Sequence, residues 1–594
     1  MTVTQKILAL RKRMAIRKVA ALVVPSSDPH QSEYVGARWQ SRKWASGFTG
    51  SSGTLVITPK VAALWTDGRY FLQAEKELHG SGIRLFKSRE PNVPTVNEWI
   101  VAQLKPGQIV AFDGEVFSLE AVREMEKTFS LKKLVLRTHE DLCDQVWTDR
   151  PPVSKAPTID FPVKYAGVGR VKKLAAVRAK LKEKGADALL LASLDDIAWL
   201  FNIRGNDVEH SPVVLAYALV GMKDAILFVN RDKVPISLQK SLNKQGVTLC
   251  GYESVCPALK TMKAGKSLCF NPRRINQLVA DAIPKSVRRI EEATDITTDL
   301  KAVKNPVEQA HWDTAALLDG LALVKFFAWL ERTLAAGKPV TEYTAREALK
   351  EFRRAAPEYR DDSFNAVCGY QANAAMIHYT VGRDTAARLK RKGLFLVDSG
   401  GNYFEGTMDT TRTVALGPVS EVARRHYTLV LKGMIALSRA VFPSGLTGTH
   451  LDALARLPLW GEGLNYKHGS GHGVGAYLNV HEGPHGFTSA WNPSVFKPGM
   501  VVTIEPGFYR EGAYGIRIEN MALVAEVGRT DYGQFLRFKT LTLCPIDTAP
   551  LLLALLTTEE RTWLNDYHKH VLTRLSPHLS GQARTWLKRK TLPV

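Results

Sequence analysis

Two stretches of the chain repeat one pattern of strands and acids: FLVDSGGNYFEGTMDTTRTVAL (residues 395–416) and MVVTIEPGFYREGAYGIRIENMALV (residues 500–524). Each alternates β-branched or aromatic runs with glycine turns, which predicts a pair of strands. Each carries one acid on either arm, namely Asp398 and Asp409 in the first, and Glu505 and Glu519 in the second. Acidic residues are depleted in strands, so a single one would indicate an exposed face or a turn, whereas four in two hairpins indicate a shared site.

Four carboxylates that converge between strands repel one another unless cations neutralise them. Two divalent ions about 3.5–4 Å apart, bridged by carboxylates and a hydroxide, are a common solution. A histidine would complete such a site, and His468 and His472 lie in the glycine-rich run HGSGHGVG, whose backbone can approach a metal or a substrate closely. No Gly-Lys-Ser/Thr follows, which excludes a phosphate-binding loop. The residues alone predict hard divalent ions such as manganese, cobalt or zinc.

The segment HEGPH, from His481 to His485, matches the letters of the H-E-x-x-H zinc-peptidase pattern. That pattern needs both histidines on one face of a helix. Here Gly483 and Pro484 stand between them, and a proline inside a helix costs about 3 kcal/mol. We therefore expect loops at this point and no zinc helix, and we assign no function to His485.

The composition is that of a globular protein with several domains: 594 residues, of which 45% are hydrophobic and 23% charged. No apolar run reaches the roughly 18 residues of a membrane span, and the N terminus lacks the apolar core of a secretory signal. Six cysteines without a C-x-x-C pair indicate reduced thiols. The net charge of +22 is spread evenly along the chain. We expect a cytoplasmic protein with neither a nucleic-acid nor a membrane partner.

Two boundaries divide the chain. The proline-rich stretch DRPPVSKAPTIDFP, residues 149–162, predicts an extended linker. Asn305-Pro306 can open a long helix and marks the second boundary. Before it, two segments each pass from a basic amphipathic stretch to an apolar strand, which suggests a duplicated α/β domain. The tail after residue 549 is predicted to be helical, with Thr557 or Thr558 as its N-cap.

Three segments resemble the signatures of the pita-bread metallopeptidases: DSGGNYFEGTMDTTRT (398–413), HGSGHGVGAYLNVHEGP (468–484) and IEPGFYREGAYGIRIEN (504–520). Segments such as PSSDPHQSEYVG and LDDIAWLFNIRGNDVEHSPV extend the likeness over nearly the whole chain, which looks most like aminopeptidase P in its long three-domain form. The resemblance implies an α/β (α+β) architecture. Its parts would be a creatinase-type α/β domain (1–155), a second such domain (156–301), and a pita-bread catalytic domain with a C-terminal helical extension (302–594).

The resemblance also implies a role for individual residues. The metal ligands would be Asp398, Asp409, His472, Glu505 and Glu519, with Asp409 and Glu519 bridging two divalent ions, of which manganese is the usual identity in this family and cobalt or zinc the alternatives. Catalytic or substrate-contacting roles would fall to His378, His468, His481, Glu505 and Arg517, and Arg204 and His210 of the second domain would border the pocket. Arg517 is expected to anchor Glu519 or an intermediate, the alternative being a surface arginine of a strand.

The implied activity is release of the N-terminal residue from peptides with proline at the second position, through a hydroxide that bridges the metals. The alternatives are a prolidase-like dipeptidase and a pita-bread module that binds without catalysis. The family resemblance also suggests a homodimer. One segment departs from the family pattern: GYQANAAMIHYTVGRDTAARL, residues 369–389, differs around its histidine and could shift substrate preference.

Overall fold

A computed structural model describes residues 1–594 of the chain. The chain forms two compact units. The first contains residues 1–162 and 168–298, and the second contains residues 163–167 and 299–594. The predicted boundaries of the three domains stay predictions, because both α/β domains fall in the first unit.

The elements of residues 1–302 alternate between strands and helices. The strands are β1 (Val19–Pro25), β2 (Thr54–Ile57), β3 (Ala62–Thr66), β4 (Ile83–Lys87), β5 (Ile109–Ala111), β6 (Val135–Arg137), β7 (Ile159–Asp160), β8 (Ala188–Leu191), β9 (Ile203–Arg204), β10 (Ala216–Gly221), β11 (Ala225–Val229), β12 (Val247–Cys250), β13 (Ser267–Phe270) and β14 (Arg288–Glu291). The helices are α1 (Val3–Ile16), α2 (Ser41–Ser46), α3 (Phe71–Leu78), α4 (Val96–Gln103), α5 (Leu119–Ser130), α6 (Val163–Ala166), α7 (Arg170–Glu183), α8 (Leu194–Leu200), α9 (Ile236–Lys244), α10 (Val255–Lys260), α11 (Gln277–Asp281) and α12 (Ile296–Ala302). Helix α6 and the end of α12 belong to the second unit.

Two sheets of the first unit have the same topology. One has the order β4-β3-β2-β1-β5-β6 and the other β12-β11-β10-β8-β13-β14. Corresponding strands also pair in the same directions, with three parallel and two antiparallel pairs in each sheet. The central strands β1 and β8 are continuous apolar runs and are mostly buried, as expected of strands covered on both faces. The predicted pair of α/β domains is confirmed.

The second unit continues with longer helices and shorter sheets. Its remaining strands are β15 (Tyr359–Asp362), β16 (Val367–Tyr370), β17 (Leu394–Ser399), β18 (Gly401–Tyr403), β19 (Gly406–Thr407), β20 (Thr410–Ala415), β21 (Val441–Pro443), β22 (Gly471–Gly473), β23 (Glu482–Phe487), β24 (Val501–Ile504), β25 (Gly507–Arg510), β26 (Tyr514–Arg517), β27 (Asn520–Thr530) and β28 (Gly533–Thr540). Its remaining helices are α13 (Pro306–Ala335), α14 (Glu342–Arg354), α15 (Glu421–Ser438), α16 (Gly448–Trp460), α17 (Thr558–Leu575) and α18 (Gly581–Lys590).

Helix α13 opens the second unit as the sequence predicts. The Asn305 side chain accepts hydrogen bonds from the backbone of Val307 and Glu308, the Glu308 side chain reaches back to Asn305, and Pro306 is the first helical residue. Trp312 lies on the buried face of the helix, and its indole nitrogen donates to Thr407 O over 3.2 Å. Neither α13, with 30 residues, nor any other helix combines the length and the apolar character that crossing a membrane requires.

Both acid-bearing stretches contain more strands than the two predicted for each. In the first, β17 pairs with β20, while β18 and β19 form part of a separate sheet with β15. In the second, β24 pairs with β27, while β25 and β26 form an inner hairpin. The short inner pairs arise because Gly400 and Gly507 allow close backbone approach; a Cβ on Gly400 would lie 1.7 Å from the carbonyl oxygen of Met408.

Asp295, just before α12, provides a test of stability against pH. The residue is buried, and this burial, together with the neighbouring charge of Asp196, raises the pKa of Asp295 from the ordinary 3.8 to about 8. The folded state therefore holds a proton that the unfolded chain gives up. The stability linked to this proton is complete below about pH 4 and is lost as the pH rises towards 8.

We expect Asp295→Asn, which mimics the protonated form, to stabilise the first unit at pH 8 and to have a smaller effect at pH 5. Urea unfolding of both proteins at the two pH values measures this difference. Asp232→Asn, at an exposed position of the same unit, is the control. An equal effect of Asp295→Asn at pH 5 and pH 8 would contradict the prediction.

Candidate metal centre

The first two acids reach the centre from neighbouring antiparallel strands. Asp398 lies in β17 opposite Thr411 of β20, and Asp409 immediately precedes β20. The Asp409 side chain is almost fully buried, and its backbone nitrogen donates to the sulfur of Met521 over 3.1 Å. Both carboxylates are therefore held at the same end of the β17–β20 pair.

The other two acids flank a second antiparallel pair. Glu505 follows β24 directly, Glu519 precedes β27 directly, and the adjoining residues Ile504 and Asn520 are partners in the register. Thr411 O accepts a hydrogen bond from the backbone nitrogen of Glu519 over 3.1 Å. This bond joins the two acid-bearing pairs, so all four carboxylates meet in one place.

His472 enters from β22, which lies beside β24 in the six-stranded sheet β21-β28-β27-β24-β22-β23. Its backbone nitrogen donates to the hydroxyl of Thr503 over 3.1 Å, and its Nδ1 lies 2.9 Å from the carbonyl oxygen of Gly473. Because Nδ1 carries the proton for that bond, Nε2 is left to face the acids. It lies 3.4 Å from Asp409 Oδ2 and 3.7 Å from Glu505 Oε1.

The possible ligand atoms fall into three overlapping groups. Within each group, the donor atoms all lie within 4.8 Å of one another; the groups are Asp398, Asp409 and Glu519; His472, Glu505 and Glu519; and Asp409, His472 and His481. The five predicted ligands are thus all brought together. Asp409, Glu519 and His472 each belong to two groups, and of these three only the carboxylates have two oxygens that could contact two ions at once.

Burial and the neighbouring charges change the pKa values of the residues in the centre. Burial raises the pKa of Glu505 to about 7, against the opposing charges of His472 and Arg517. Burial, followed by the charges of Asp409 and Glu505, holds the pKa of Glu519 well above its ordinary value. Burial disfavours the charged imidazole of His472, yet the acids Asp409 and Glu505 raise its pKa to about 9. Without added positive charge, the centre therefore disfavours the ionised forms of Glu505 and Glu519.

These residues fit a pair of divalent cations. Asp398 Oδ1 and Glu519 Oε1 are buried and accept no hydrogen bond from the protein. A buried carboxylate oxygen without a partner is costly, and a cation would remove that cost. Carboxylate oxygens with one imidazole nitrogen form a donor set suited to hard or borderline divalent ions.

Arg517 is buried and its guanidinium contacts Asp398 directly, whereas the sequence suggested Glu519 or an intermediate, and the contact with an intermediate stays a prediction. Its Nη2 donates to Asp398 Oδ2 over 2.5 Å, and its Nε donates to the hydroxyl of Thr411 over 3.1 Å. Thr411 in turn donates to Glu519 Oε2 over 2.7 Å. Arg517 therefore reaches Glu519 only through a threonine, and the alternative of a surface arginine is wrong because only 3% of the residue is exposed.

Tyr509 connects Arg517 to His468. Arg517 Nη1 donates to the Tyr509 hydroxyl over 2.6 Å, and this hydroxyl lies 2.9 Å from His468 Nε2. On the other side of the ring, His468 Nδ1 lies 2.7 Å from the carbonyl oxygen of Gly469. Since the carbonyl requires a proton on Nδ1, Nε2 accepts from the tyrosine, and the orientation and tautomer of His468 are both defined.

His481 packs against the histidine of the centre, with its ring centroid 4.2 Å from that of His472. The next residue, Glu482, forms buried ion pairs with two lysines that precede α13. Its Oε1 accepts from Lys304 Nζ, and its Oε2 lies 3.3 Å from Lys301 Nζ. These pairs hold the segment of His481 against the start of the second unit's first long helix.

HEGPH does not form a zinc helix, as predicted, but it is not a loop either. From Glu482 onward it belongs to strand β23, which pairs with β22. His485 is buried in this sheet, where its Nε2 lies 3.0 Å from the carbonyl oxygen of Val501. Burial lowers the pKa of His485 to about 3, so the ring is neutral.

Arg412 links the centre to the C-terminal part of the chain. The residue is fully buried in β20. Its Nη1 donates to the carbonyl oxygens of Thr411 and Glu519 over 2.8 and 2.5 Å. Its Nη2 donates to the hydroxyl of Tyr567, in α17, over 2.8 Å. Thr557 caps that helix, as one of the two predicted N-caps.

Three other predicted residues lie outside the ligand groups. His378 is half-buried in the segment after a 3-10 turn (Gln371–Ala375), next to Ile377, whose carbonyl oxygen accepts from Arg517 over 3.4 Å. Arg204 belongs to the first unit, where it donates to the carbonyl oxygens of Ala198 and Ile203 and stacks on Phe161 at 4.1 Å. His210 is also buried in the first unit. Their predicted roles at the pocket stay predictions.

Several supporting side chains could not be found by reading motifs. Thr411, Thr503 and Tyr509 contact Glu519, His472 and His468 respectively, yet each is an ordinary strand residue in the sequence. The only available signal was position, since each lies within four residues of a predicted ligand. Contact across strands depends on register, which a sequence without its fold does not supply.

Family models place the chain among the metallopeptidases. The model for metallopeptidase family M24 matches residues 310–526, and that for the C-terminal region of peptidase M24 matches residues 534–594. Two models for the creatinase/prolidase N-terminal domain match residues 6–140 and 149–308. The fold and the acid-rich centre thus define a metallopeptidase of the pita-bread class.

Curated relatives indicate which family of these metallopeptidases the chain belongs to. Aminopeptidase P2 of Arabidopsis thaliana is 38% identical over 97% of this chain and 86% of its own length. A probable Xaa-Pro aminopeptidase P of Laccaria bicolor is 38% identical over 100% of this chain and 94% of its own. The chain belongs to the aminopeptidase P family.

Solved structures agree with this placement. An X-prolyl aminopeptidase from Caenorhabditis elegans, described as a cytosolic enzyme with a di-nuclear active site, is 35% identical, covers 100% of both chains and superposes with a TM-score of 0.96. A Xaa-Pro dipeptidase from Bacillus anthracis is 23% identical and covers only 64% of this chain, with a TM-score of 0.50, and shares the fold alone. The predicted α/β architecture with a pita-bread domain is confirmed.

Asp409→Asn provides a test of the centre through its metal content. Asp409 lies in two of the three ligand groups, so we expect the wild type to retain two ions per chain after loading with Mn²⁺ and desalting, and the variant to retain one or none. Atomic emission measures the metal, and circular dichroism checks that the fold is kept. Asp531→Asn, at an exposed turn between β27 and β28, is the control. Two tightly held ions in Asp409→Asn would contradict the assignment.

Proposed function

We propose that this protein is a metal-dependent Xaa-Pro aminopeptidase that releases the N-terminal residue from peptides with proline at the second position. The observation that carries the proposal is the convergence of five ligand residues in three overlapping groups, in a chain whose full-length relatives are named Xaa-Pro aminopeptidases. Its cofactor would be two divalent ions, which we propose to be manganese, with cobalt or zinc as substitutes. The two ions, when bound, would supply an activated water and stabilise negative charge on the scissile carbonyl.

The ligand set would be Asp398, Asp409, His472, Glu505 and Glu519. The four carboxylates also give the centre a negative charge that attracts the free amino terminus of a peptide. An amino terminus held beside the acids leaves room for one residue before the scissile bond, which accounts for exopeptidase action.

The proton transfers fall to groups of the chain itself. The proline nitrogen leaves as an amine, so it must gain a proton as the bond to the carbonyl carbon breaks. We assign Glu505 to take a proton from the attacking water, and His468 and His481 to position the substrate and pass protons near the scissile bond. Tyr509 keeps the Nε2 lone pair of His468 in a defined direction. His378 is assigned to contact the substrate, and Arg517 keeps Asp398 in place.

Two other functions make different predictions. A prolidase would cleave only dipeptides, whereas a non-catalytic module would bind peptides without turnover. The second is disfavoured because every ligand position holds a suitable donor and the donors converge. The first is disfavoured because the relatives and the solved structure that match this chain over its full length are named aminopeptidases.

One set of assays separates these functions. We expect metal-loaded protein to cleave a tripeptide Xaa-Pro-Yaa between Xaa and Pro, to cleave Xaa-Pro more slowly, and to lose both activities with a chelator. Asp409→Asn should abolish turnover, and Asp531→Asn should leave it unchanged. Chromatography of the released amino acid measures the rates. Cleavage of the dipeptide alone would favour the prolidase, and no cleavage of either substrate would refute the proposal.

We also propose a cytoplasmic homodimer, with contacts through the catalytic unit. Three large apolar residues are exposed on or beside α16: Leu457 at 63%, Trp460 at 44% and Trp491 at 71%. Exposed side chains of this size would contribute apolar area to an interface. Sedimentation equilibrium of the full chain should give twice the mass of 65.8 kDa; a single-chain mass at micromolar concentration would contradict the dimer.

A further inference from the structure

Residues 370–387 carry His378 and lie within the segment 369–389 that departs from the family pattern. Apart from the 3-10 turn Gln371–Ala375, the segment has no helix or strand beyond its first residue. Irregular backbone must be held by specific contacts if it is to present a side chain in one position. The position of His378 therefore depends on what anchors this segment.

Glu342, the first residue of α14, provides the main anchor. It is completely buried, and its two carboxylate oxygens accept hydrogen bonds from four groups of the segment. They are the backbone nitrogens of Tyr370 and Ala387, each at 2.7 Å, the hydroxyl of Tyr379 at 3.0 Å and the side-chain nitrogen of Asn373 at 3.1 Å. One carboxylate thus holds both ends and the middle of the segment.

Two further contacts attach the segment to the strand that carries Arg517. The carbonyl oxygen of Ile377 accepts from Arg517. A Cβ on Gly515, in β26, would lie 1.8 Å from the carbonyl oxygen of Ala374, so the 3-10 turn sits directly on this strand's backbone. His378 stands between Ile377, held by Arg517, and Tyr379, held by Glu342.

We infer that Glu342 is a positioning residue, which sets His378 beside the candidate metal centre by tying residues 370–387 to α14. The inference rests on the proposed function for the role of His378, and on the hydrogen bonds alone for the anchoring. Asn373 supplies one of the four donors, and Ala374 is small where the turn meets Gly515.

A carboxylate is required at this position because both of its oxygens are acceptors. Oε1 accepts from the Tyr370 nitrogen, and Oε2 accepts from the Tyr379 hydroxyl and the Ala387 nitrogen. A glutamine would replace one of these oxygens with an NH₂ group. In either orientation of the amide, at least one backbone N–H would then face another donor. Glu342→Gln therefore keeps the shape of the side chain and weakens the anchoring.

The first experiment compares single and double variants on Xaa-Pro-Yaa. We expect Glu342→Gln to lower kcat/KM by about 10- to 100-fold, since misplacement by about 1 Å has an effect of this size. Because Glu342 acts through His378, the double variant Glu342→Gln/His378→Ala should be no slower than His378→Ala alone. Glu351→Gln, at an exposed position of the same helix, is the matched control. Multiplied losses in the double variant would overturn the inference.

The second experiment does not depend on catalysis. Amide hydrogen exchange should be faster in residues 370–387 of Glu342→Gln and unchanged in residues 394–415 and 501–524, and the Mn²⁺ content should equal that of the wild type. Tyr379→Phe, which removes a single donor, should show a smaller change in the same segment. Unchanged exchange in both variants would overturn the anchoring by Glu342. An inactive wild type with faster exchange in Glu342→Gln would refute the proposed function and retain the anchoring.

Discussion

Gathering four carboxylates in a buried space is the constraint on which the catalytic unit depends. Each acid alone would tolerate burial only with a cation or several donors, and here burial and mutual repulsion disfavour the charged forms of Asp398, Glu505 and Glu519 together. The protein supplies one guanidinium, that of Arg517, and leaves oxygens of Asp398 and Glu519 without protein partners. Bound divalent ions would supply further positive charge and satisfy these oxygens.

The register of the paired strands determines where the four acids lie relative to one another. The acids stand at or next to the ends of paired strands, where one hydrogen bond between Thr411 and Glu519 joins the two pairs. A shift of one residue in either pair would turn an acid to the opposite face and leave its neighbours unbalanced. The hydroxyl of Thr411 then orients the carboxylate of Glu519, and the carbonyl oxygen of Gly473 orients the ring of His472.

Residues with a local chemical signal could be predicted from the sequence, whereas contacts that depend on the register of the strands could not. Acids inside apolar strands, glycine-flanked histidines and Asn305-Pro306 before a long helix each have a local physical reason, and the structure brings the five ligands together and begins α13 where predicted. The inner strands, the strand character of HEGPH and the contact of Arg517 with Asp398 depend on which strands become neighbours. Glu342 was overlooked because nothing local distinguishes it; its importance lies in donors 28 to 45 residues away.

The hydrogen bonds of Arg412 indicate when, during synthesis of the chain, the candidate metal centre can be completed. The arginine supports the backbone of Glu519, and its own partner Tyr567 lies 155 residues further along the chain. A nascent chain is made from its N terminus, so both acid-bearing stretches are complete before this tyrosine exists. Until α17 packs, the guanidinium of Arg412 lacks one of its acceptors, and the backbone of Glu519 is held less firmly. The polypeptide is therefore expected to acquire its metal late, after its C-terminal helices have folded.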